Sequence, residues 1–439
     1  MSNTYVFIVF FAMIFLLILL VAKFKIHAVT SLFFVSILLG ILIKTPINEI
    51  PKILNEGFGG TMKNVGIIIL LGALLGEVMS NTGAVLKITQ QFIKWFGKKH
   101  AIAAVGVSAY IMGIPIFPDT VSLLLIPMLT NLASETGISM MAFAGIVGIG
   151  VTTSSLVPPT PGPVAGAALL NLPLGQAIPW GIIVSIPGLI ATIIYCKTLK
   201  KQVPLNDAYL KSSDENIKLP SFATSITPIV IPVVLIVLNT VINTIYPDST
   251  LSSTFAFIGS PVIALTIGCL YAIISQVNNW WKNDDVKTNW IDKALLGAAG
   301  PVFITALGGS LAAFIKNAGV AEMLADMIIN AHIPGIFVPM LIALLIRSIT
   351  GSNTLGVTTA AALCQPMLAS LGISPLAAYL SMCSGAVIVS HANSSGFWLV
   401  STMCKLDVKD SFVAISGASA ISGIFCCATT LILYFLGII

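Results

Sequence analysis

The stretch VTTSSLVPPTPGPVAGAALL, Val151 to Leu170, decides the fold. It lies inside an apolar run, yet Pro158, Pro159, Pro161 and Pro163 fall within it. Proline lacks a backbone N–H and its ring clashes with the preceding turn, so no regular helix continues through the cluster. In hydrocarbon, non-helical backbone persists only where protein buries it or where it lines a cavity. The run reads as a broken membrane helix, and its break is a candidate binding site. A second stretch answers it: VSHANSSGFWLV, Val389 to Val400, polar around Gly396 inside another apolar run.

The surrounding composition agrees. Of 439 residues, 57% are hydrophobic and only 8% are charged, against about 25% in soluble domains. The fold class expected is an all-α polytopic membrane protein. The net charge of +5 is spread over loops and not clustered with aromatics, so a nucleic-acid partner is excluded. The seven cysteines form no CxxC pair and sit mostly in apolar runs. They read as small core residues, with no disulfide framework, metal set or cofactor. The run from Tyr5 to Ala22 is followed, not preceded, by Lys23 and Lys25. That is the reverse of a signal peptide and predicts a retained first span.

Apolar runs long enough to cross a bilayer predict spans near 5–22, 26–43, 64–80, 140–170 (broken), 177–197, 224–246, 252–275, 296–315, 375–403 (broken) and 411–437. Two further segments, Ala101–Ala133 around GIPIFPDT and Gly335–Ser370 around RSITGSNT, are interrupted at their middles. They read as re-entrant hairpins, with two full spans each as the alternative. Placing the N-terminus outside puts most of the 21 basic residues on one face, leaving Lys44, Lys52, Lys63 and Lys316 on the other. The positive-inside rule makes the richer face cytoplasmic and leaves both termini outside.

The halves repeat. Asn81 and Gly83 match Asn317 and Gly319, and PML followed by GIS recurs at Pro127/Gly137 and Pro366/Gly372. From there Gly150 meets Gly385, Ser155 meets Ser390, and Pro158–Pro159–Thr160 meets Asn393–Ser394–Ser395. The organisation expected is therefore residues 1–197, a linker over 198–223, and residues 224–439. Five spans per copy invert the second copy relative to the first. Inverted repeats with paired broken helices are the pattern of a secondary transporter.

Four ionisable residues fall within predicted membrane segments: Glu77, Asp119, Arg347 and His391. Such residues are costly there and mark sites or relays. Arg347 suits a solute carboxylate or a structural ion pair with Asp119. Asp119 suits proton coupling or an N-cap for the returning helix. His391 suits a proton relay near neutral pH or a hydrogen bond to neighbouring backbone. Glu77 reaches interfacial water. Polar clusters mark the rest of the substrate site: Thr152, Thr153, Ser154, Ser155 and Thr160 at break one; Asn393, Ser394 and Ser395 at break two; Ser352, Asn353 and Thr354 at the second hairpin tip. They suit hydrogen bonding to a small hydroxylated organic anion, or satisfy backbone freed by the breaks. A half-helix opening at Pro163 would turn its N-terminal N–H groups towards that anion. Pro158, Pro159, Pro161, Pro163 and Gly396 are the structural breaks. The spacings Gly72–Gly76 and Gly162–Gly166 read as helix packing. HExxH, GxxxxGK[ST] and GxSxG are absent, so neither an enzyme nor an ATP-driven pump has visible machinery.

GFGGTM (Gly57–Met62), GIPIFPDTVSLLLIP (Gly113–Pro127), SSLVPPTPGPVAGA (Ser154–Ala167) and SHANSSGFWLV (Ser390–Val400) resemble the gluconate permease family of bacterial gluconate:proton symporters. The resemblance runs from about Gly57 to Ser411. It implies proton-coupled uptake of gluconate or a related sugar acid across the bacterial cytoplasmic membrane, driven by the proton motive force. The alternatives are D-serine uptake and sodium-coupled carboxylate transport. It further implies membership of the ion transporter superfamily, where hairpins and broken helices move against a homodimeric scaffold. His391, Asn393, Ser394, Phe397 and Trp398 fall on one family motif and the four prolines on another. The resemblance leads one to expect an aromatic pair before the hairpin acid and an acid after the second-motif asparagine. This chain has Phe117–Pro118–Asp119 and Ser394 there, which shifts weight onto Asp119.

Overall fold

The computed structural model describes residues 3–210, 219–317, 334–392 and 394–439. The described residues contain helices and no strands. The first half runs α1 (Asn3–Ala22), α2 (Ala28–Leu42), α3 (Ile50–Asn81), α4 (Ala84–Phe96), α5 (Ala101–Met112), α6 (Pro118–Thr136), α7 (Met140–Val147), α8 (Ile149–Leu156), α9 (Pro161–Leu169) and α10 (Leu174–Thr198). The second runs α11 (Phe222–Ile245), α12 (Thr250–Ile258), α13 (Pro261–Gln276), α14 (Trp290–Asn317), α15 (Phe337–Thr350), α16 (Asn353–Cys364), α17 (Pro375–Ile388), α18 (Ser395–Met403) and α19 (Gly417–Phe435). Seven of the described helices, or eight if the bent pair α12–α13 counts as one, are long and apolar enough to cross a membrane. Their outer faces are apolar at helical spacing, as with Val230, Val234, Leu238, Val241 and Ile245 of α11. That is the pattern of a lipid-facing stripe.

The two longest described helices, α3 and α14, pack along each other in opposite directions. Gly57 meets Gly309 and Ser310 near one end, and Glu77 meets Lys293 near the other. A Cβ added at Gly309 would lie 2.6 Å from the Gly57 carbonyl oxygen. Small residues are what let membrane helices approach this closely, since no hydrophobic effect drives them together in lipid. The same helix carries Gly72 and Gly76 past the two irregular segments of the first half. A Cβ at either would sit 3.2 Å from the carbonyl of Pro159 or Pro115. The Gly72–Gly76 spacing is thus a packing surface.

The broken helices and hairpin arms form the interior. Between Met140 and Ala167 every residue is buried except Gly148 and Val151, and both of these line the cavity described below. Local turn chemistry recurs between the halves. Gly137 and Gly372 both take left-handed φ, at 69° and 64°. Ser139 then accepts from the Met141 N–H, and Ser374 from the Ala377 N–H, capping α7 and α17. All seven cysteines are free and buried.

Several expectations need adjusting. The span expected at 64–80 begins at Ile50, because a helix continues through polar residues that a hydropathy reading discards. The run expected as one span at 252–275 is two helices meeting at 59°. Gly259 ends the first and Pro261 opens the second, where its missing N–H costs nothing. Helix α4 was not expected. It is amphipathic, with Ala84, Val85, Ile88 and Thr89 inside and Trp95 exposed beside Phe222. Gly319 and Asn393 lie outside the described residues.

Candidate functional site

Both breaks and both hairpin tips meet at one cavity of about 580 Å³. Break one contributes Ser154, Thr160, Pro161 and Gly162; hairpin one, Phe117, Pro118 and Asp119; hairpin two, Arg347 and Thr350 to Thr354; break two, Ser390 and Ser394 to Gly396. Gly297 and Pro301 of α14 close one wall. The elements interlock crosswise. A Cβ on Gly162 would sit 3.4 Å from Asn353 Nδ2, and one on Gly396 only 2.8 Å from Asp119 Oδ1. Each hairpin tip therefore rests on the broken helix of the opposite half.

Backbone freed by the breaks is satisfied first. The Thr160 hydroxyl donates to the carbonyls of Ser154 at 2.6 Å and Val157 at 3.1 Å. Ser155 and Ser154 hydroxyls both donate back to the Val151 carbonyl. Thr152 bonds Ser422 of α19 at 2.7 Å and Thr153 donates to the Ile149 carbonyl, so neither faces the cavity. From the other half, the Tyr379 hydroxyl donates to the Leu156 carbonyl at 2.8 Å. At break two the Trp398 indole donates to the Ala392 carbonyl at 2.7 Å. Helix α9 opens at Pro161, two residues before the expected Pro163, and both residues lack an N–H. Of its first three positions only Gly162 presents one, so the proline-shaped half offers an anion little.

Arg347 is the centre of the other half. It is 3% exposed. Its Nε donates to the Val389 carbonyl at 2.7 Å, capping α17 where break two begins, while Nη1 has no partner. The Asn353 Oδ1 is likewise buried and unpartnered. Unmet buried polar atoms are uncommon and call for an occupant. The turn holding them is made by Gly351, at φ 74°, a region that glycine enters without strain. Ser352 accepts from the Leu355 N–H and caps α16.

Asp119 lies in the first turn of α6, but Phe117 is the N-cap and no side chain caps that helix. Its Oδ2 accepts from the Ser395 hydroxyl at 3.2 Å. Among the described residues no ion pair joins Asp119 to Arg347. Asp119 and Ser395 are exposed, whereas Val157 to Thr160 are buried throughout. The cavity thus opens at the hairpin-one, break-two rim. Beyond it an adjoining cleft of about 200 Å³ shares Phe117 and Gly297 and reaches Glu77 and Lys293. Glu77 sits 3.8 Å from Lys293 and accepts from Asn81 at 2.9 Å. His391 is half-buried beside break two and is not part of the lining.

Sequence reasoning passed over Tyr379 and the seat that Gly396 provides for Asp119, and read Gly162 only as helix packing. All three act through partners in the opposite half, which no local pattern reveals.

The profile of GntP family permeases matches residues 4–436. The chain belongs to the GntP permease family. A gluconate permease of Pseudomonas aeruginosa is 28% identical over 90% of each chain. The inner membrane permease YgbN of Escherichia coli K12 is 30% identical over 90% of this chain and 91% of its own. The crystal structure of the Alcanivorax borkumensis YdaH transporter superposes with a TM-score of 0.64, covering 90% of both chains at 14% identity. That last likeness shows the fold alone. A GntP family member is a multi-pass membrane permease, not an enzyme.

Proposed function

We propose that this chain carries gluconate, or a related small hydroxy acid, into the cell in symport with protons. The observation that carries the reading is the meeting of both breaks and both hairpin tips at one cavity, where a buried guanidinium keeps Nη1 unpartnered. The solute carboxylate lies against Arg347 and the first turn of α16. Its hydroxyls reach Asn353, Thr354, Ser390, Ser394 and Ser395, with Asn393 assigned from sequence alone. Asp119 takes the coupling proton, and His391, beside the lining, relays it. Thr160 serves the break's backbone, and Ser155 bonds back to the Val151 carbonyl within its own helix.

The matched turns at Gly137 and Gly372 support two inverted five-span repeats, 1–197 and 224–439, joined by 198–223, with re-entrant hairpins. The lysine distribution favours outside termini and a cavity rim that faces the cytoplasm in this state. The bacterial inner membrane is the setting, and a homodimer holding α3 and α14 as its fixed frame is the assembly.

Proteoliposomes with an inward proton gradient should accumulate labelled gluconate, lose that accumulation with a protonophore, and ignore replacement of sodium by choline. Full pH-driven accumulation by both Asp119→Asn and His391→Ala would sink the coupling assignment.

A further inference from the structure

The cavity is lined by two charges. Among its described lining residues Arg347 is the one cation and Asp119 the one carboxylate. They do not neutralise each other. Arg347 holds the Val389 carbonyl, where break two begins. Asp119 is held by Ser395, where break two ends. The unwound segment thus separates a cationic station from an anionic one. The anionic station is built. Ser395 orients one carboxylate oxygen, and Gly396 makes room for the other at a point where any Cβ would intrude to 2.8 Å.

We propose that Asp119 is a specificity-determining residue that turns away ligands with a second carboxylate. The inference rests on the reading of this cavity as a carboxylate site. A ligand bound to Arg347 through one carboxylate presents its far end to Asp119. Before it takes up the coupling proton Asp119 is charged, and hydroxyl donors are accepted there because an ionised carboxylate is an acceptor only. A second carboxylate meets a like charge with no further cation in the described lining to screen it, and like charges juxtaposed in a site are strongly disfavoured. The site therefore takes hydroxy monocarboxylates and rejects the dicarboxylates of the same carbon skeleton.

The test is equilibrium binding to the purified full chain at mildly alkaline pH, without a gradient. Two probe pairs sharing a skeleton serve: gluconate with glucarate, and glycerate with tartronate. In the wild type each monoacid should bind about tenfold or more tighter than its diacid. In Asp119→Asn the gap should close through a gain by the diacids. Arg347→Gln should weaken both members of a pair alike and leave their ratio standing, which a general loosening of the fold would not. A ligand-free melt checks folding, and Asp119→Ser replaces Asp119→Asn if the latter gives no cooperative transition. Diacids binding the wild type as tightly as monoacids, or a gap untouched by the Asp119 variants, overturns the filter. Failure of gluconate and glucarate alike, with glycerate still preferred to tartronate, leaves the filter standing and overturns gluconate as the solute.

Discussion

Arg347→Gln separates what the guanidinium does for the fold from what it does for a ligand. The glutamine amide nitrogen occupies the place of the arginine Nε, so the 2.7 Å donation to the Val389 carbonyl is retained. The charge and the two outer nitrogens are lost. A hydrogen bond to a charged group contributes about 1.5–3 kcal/mol, and a forked pair to a carboxylate lies at the strong end of that range. Taking about 3 kcal/mol, and a decade in affinity for every 1.4 kcal/mol, gluconate should bind about a hundredfold more weakly. Ligand-free stability should hold or rise, since a buried charge with an unpartnered nitrogen has been removed. Arg347→Ala behaves differently. It strips the donor from a carbonyl that ends α17 and should lower stability by about 1–3 kcal/mol. Equilibrium binding of gluconate and ligand-free thermal melts on the three purified proteins read both quantities. Wild-type affinity in Arg347→Gln, with a wild-type melt, would refute the assignment of Arg347 to the solute.

Three further outcomes are expected. Asn353→Ala removes a buried oxygen without a partner, so the ligand-free melt should rise while gluconate affinity falls about tenfold; a falling melt would mean that Asn353 braces the turn. Thr160→Val loses the bonds to Ser154 and Val157 and should cost about 1–2 kcal/mol, with Thr160→Ser restoring the melt; equal melts for all three proteins would remove Thr160 from the account of break one. Just after α10 Lys201 donates to both oxygens of the buried Asp410, at 2.6 and 2.7 Å, and that hydrogen bond lifts its ammonium above the usual lysine range. A raised lysine stabilises the fold at every pH below its unfolded value and loses that contribution as the pH climbs through its folded one. Melts of wild type and Lys201→Met should therefore differ at neutral pH and converge at strongly alkaline pH.

Much of the fold is legible because membrane helices obey local rules. Pro158 and Pro159 cannot continue a helix, whereas Pro161 and Pro163 are tolerated in the first turn of a new one, and the break at Val157–Thr160 follows. The GIS segments at Gly137 and Gly372 stand out in the sequence only as a match between the halves; the left-handed turns and serine caps they form are seen in the structure. Hydropathy fails where polarity and helicity part company, as in the polar first turns of α3 and the whole of α4. It fails again at Gly259–Pro261, where an apolar run conceals a bend. The site divides the same way. Asp119 and Arg347 stand out as ionisable residues among apolar ones, but their spacing in sequence says nothing of whether they pair.

The proline stretch at Val151–Leu170 by itself determined that a membrane helix is interrupted, because the missing N–H and the ring clash are properties of one residue. What lies opposite the interruption was decided only in three dimensions. Hydroxyls that look poised for a solute are spent on carbonyls the prolines released. Tyr379 reaches across from the other half to satisfy the Leu156 carbonyl, while Arg347 satisfies the Val389 carbonyl within its own half. The chemistry left over is one guanidinium nitrogen, one amide oxygen and one seated carboxylate. Which donors remain unspent depends on every neighbour within hydrogen-bonding distance, and in this chain those neighbours are supplied by segments more than two hundred residues away.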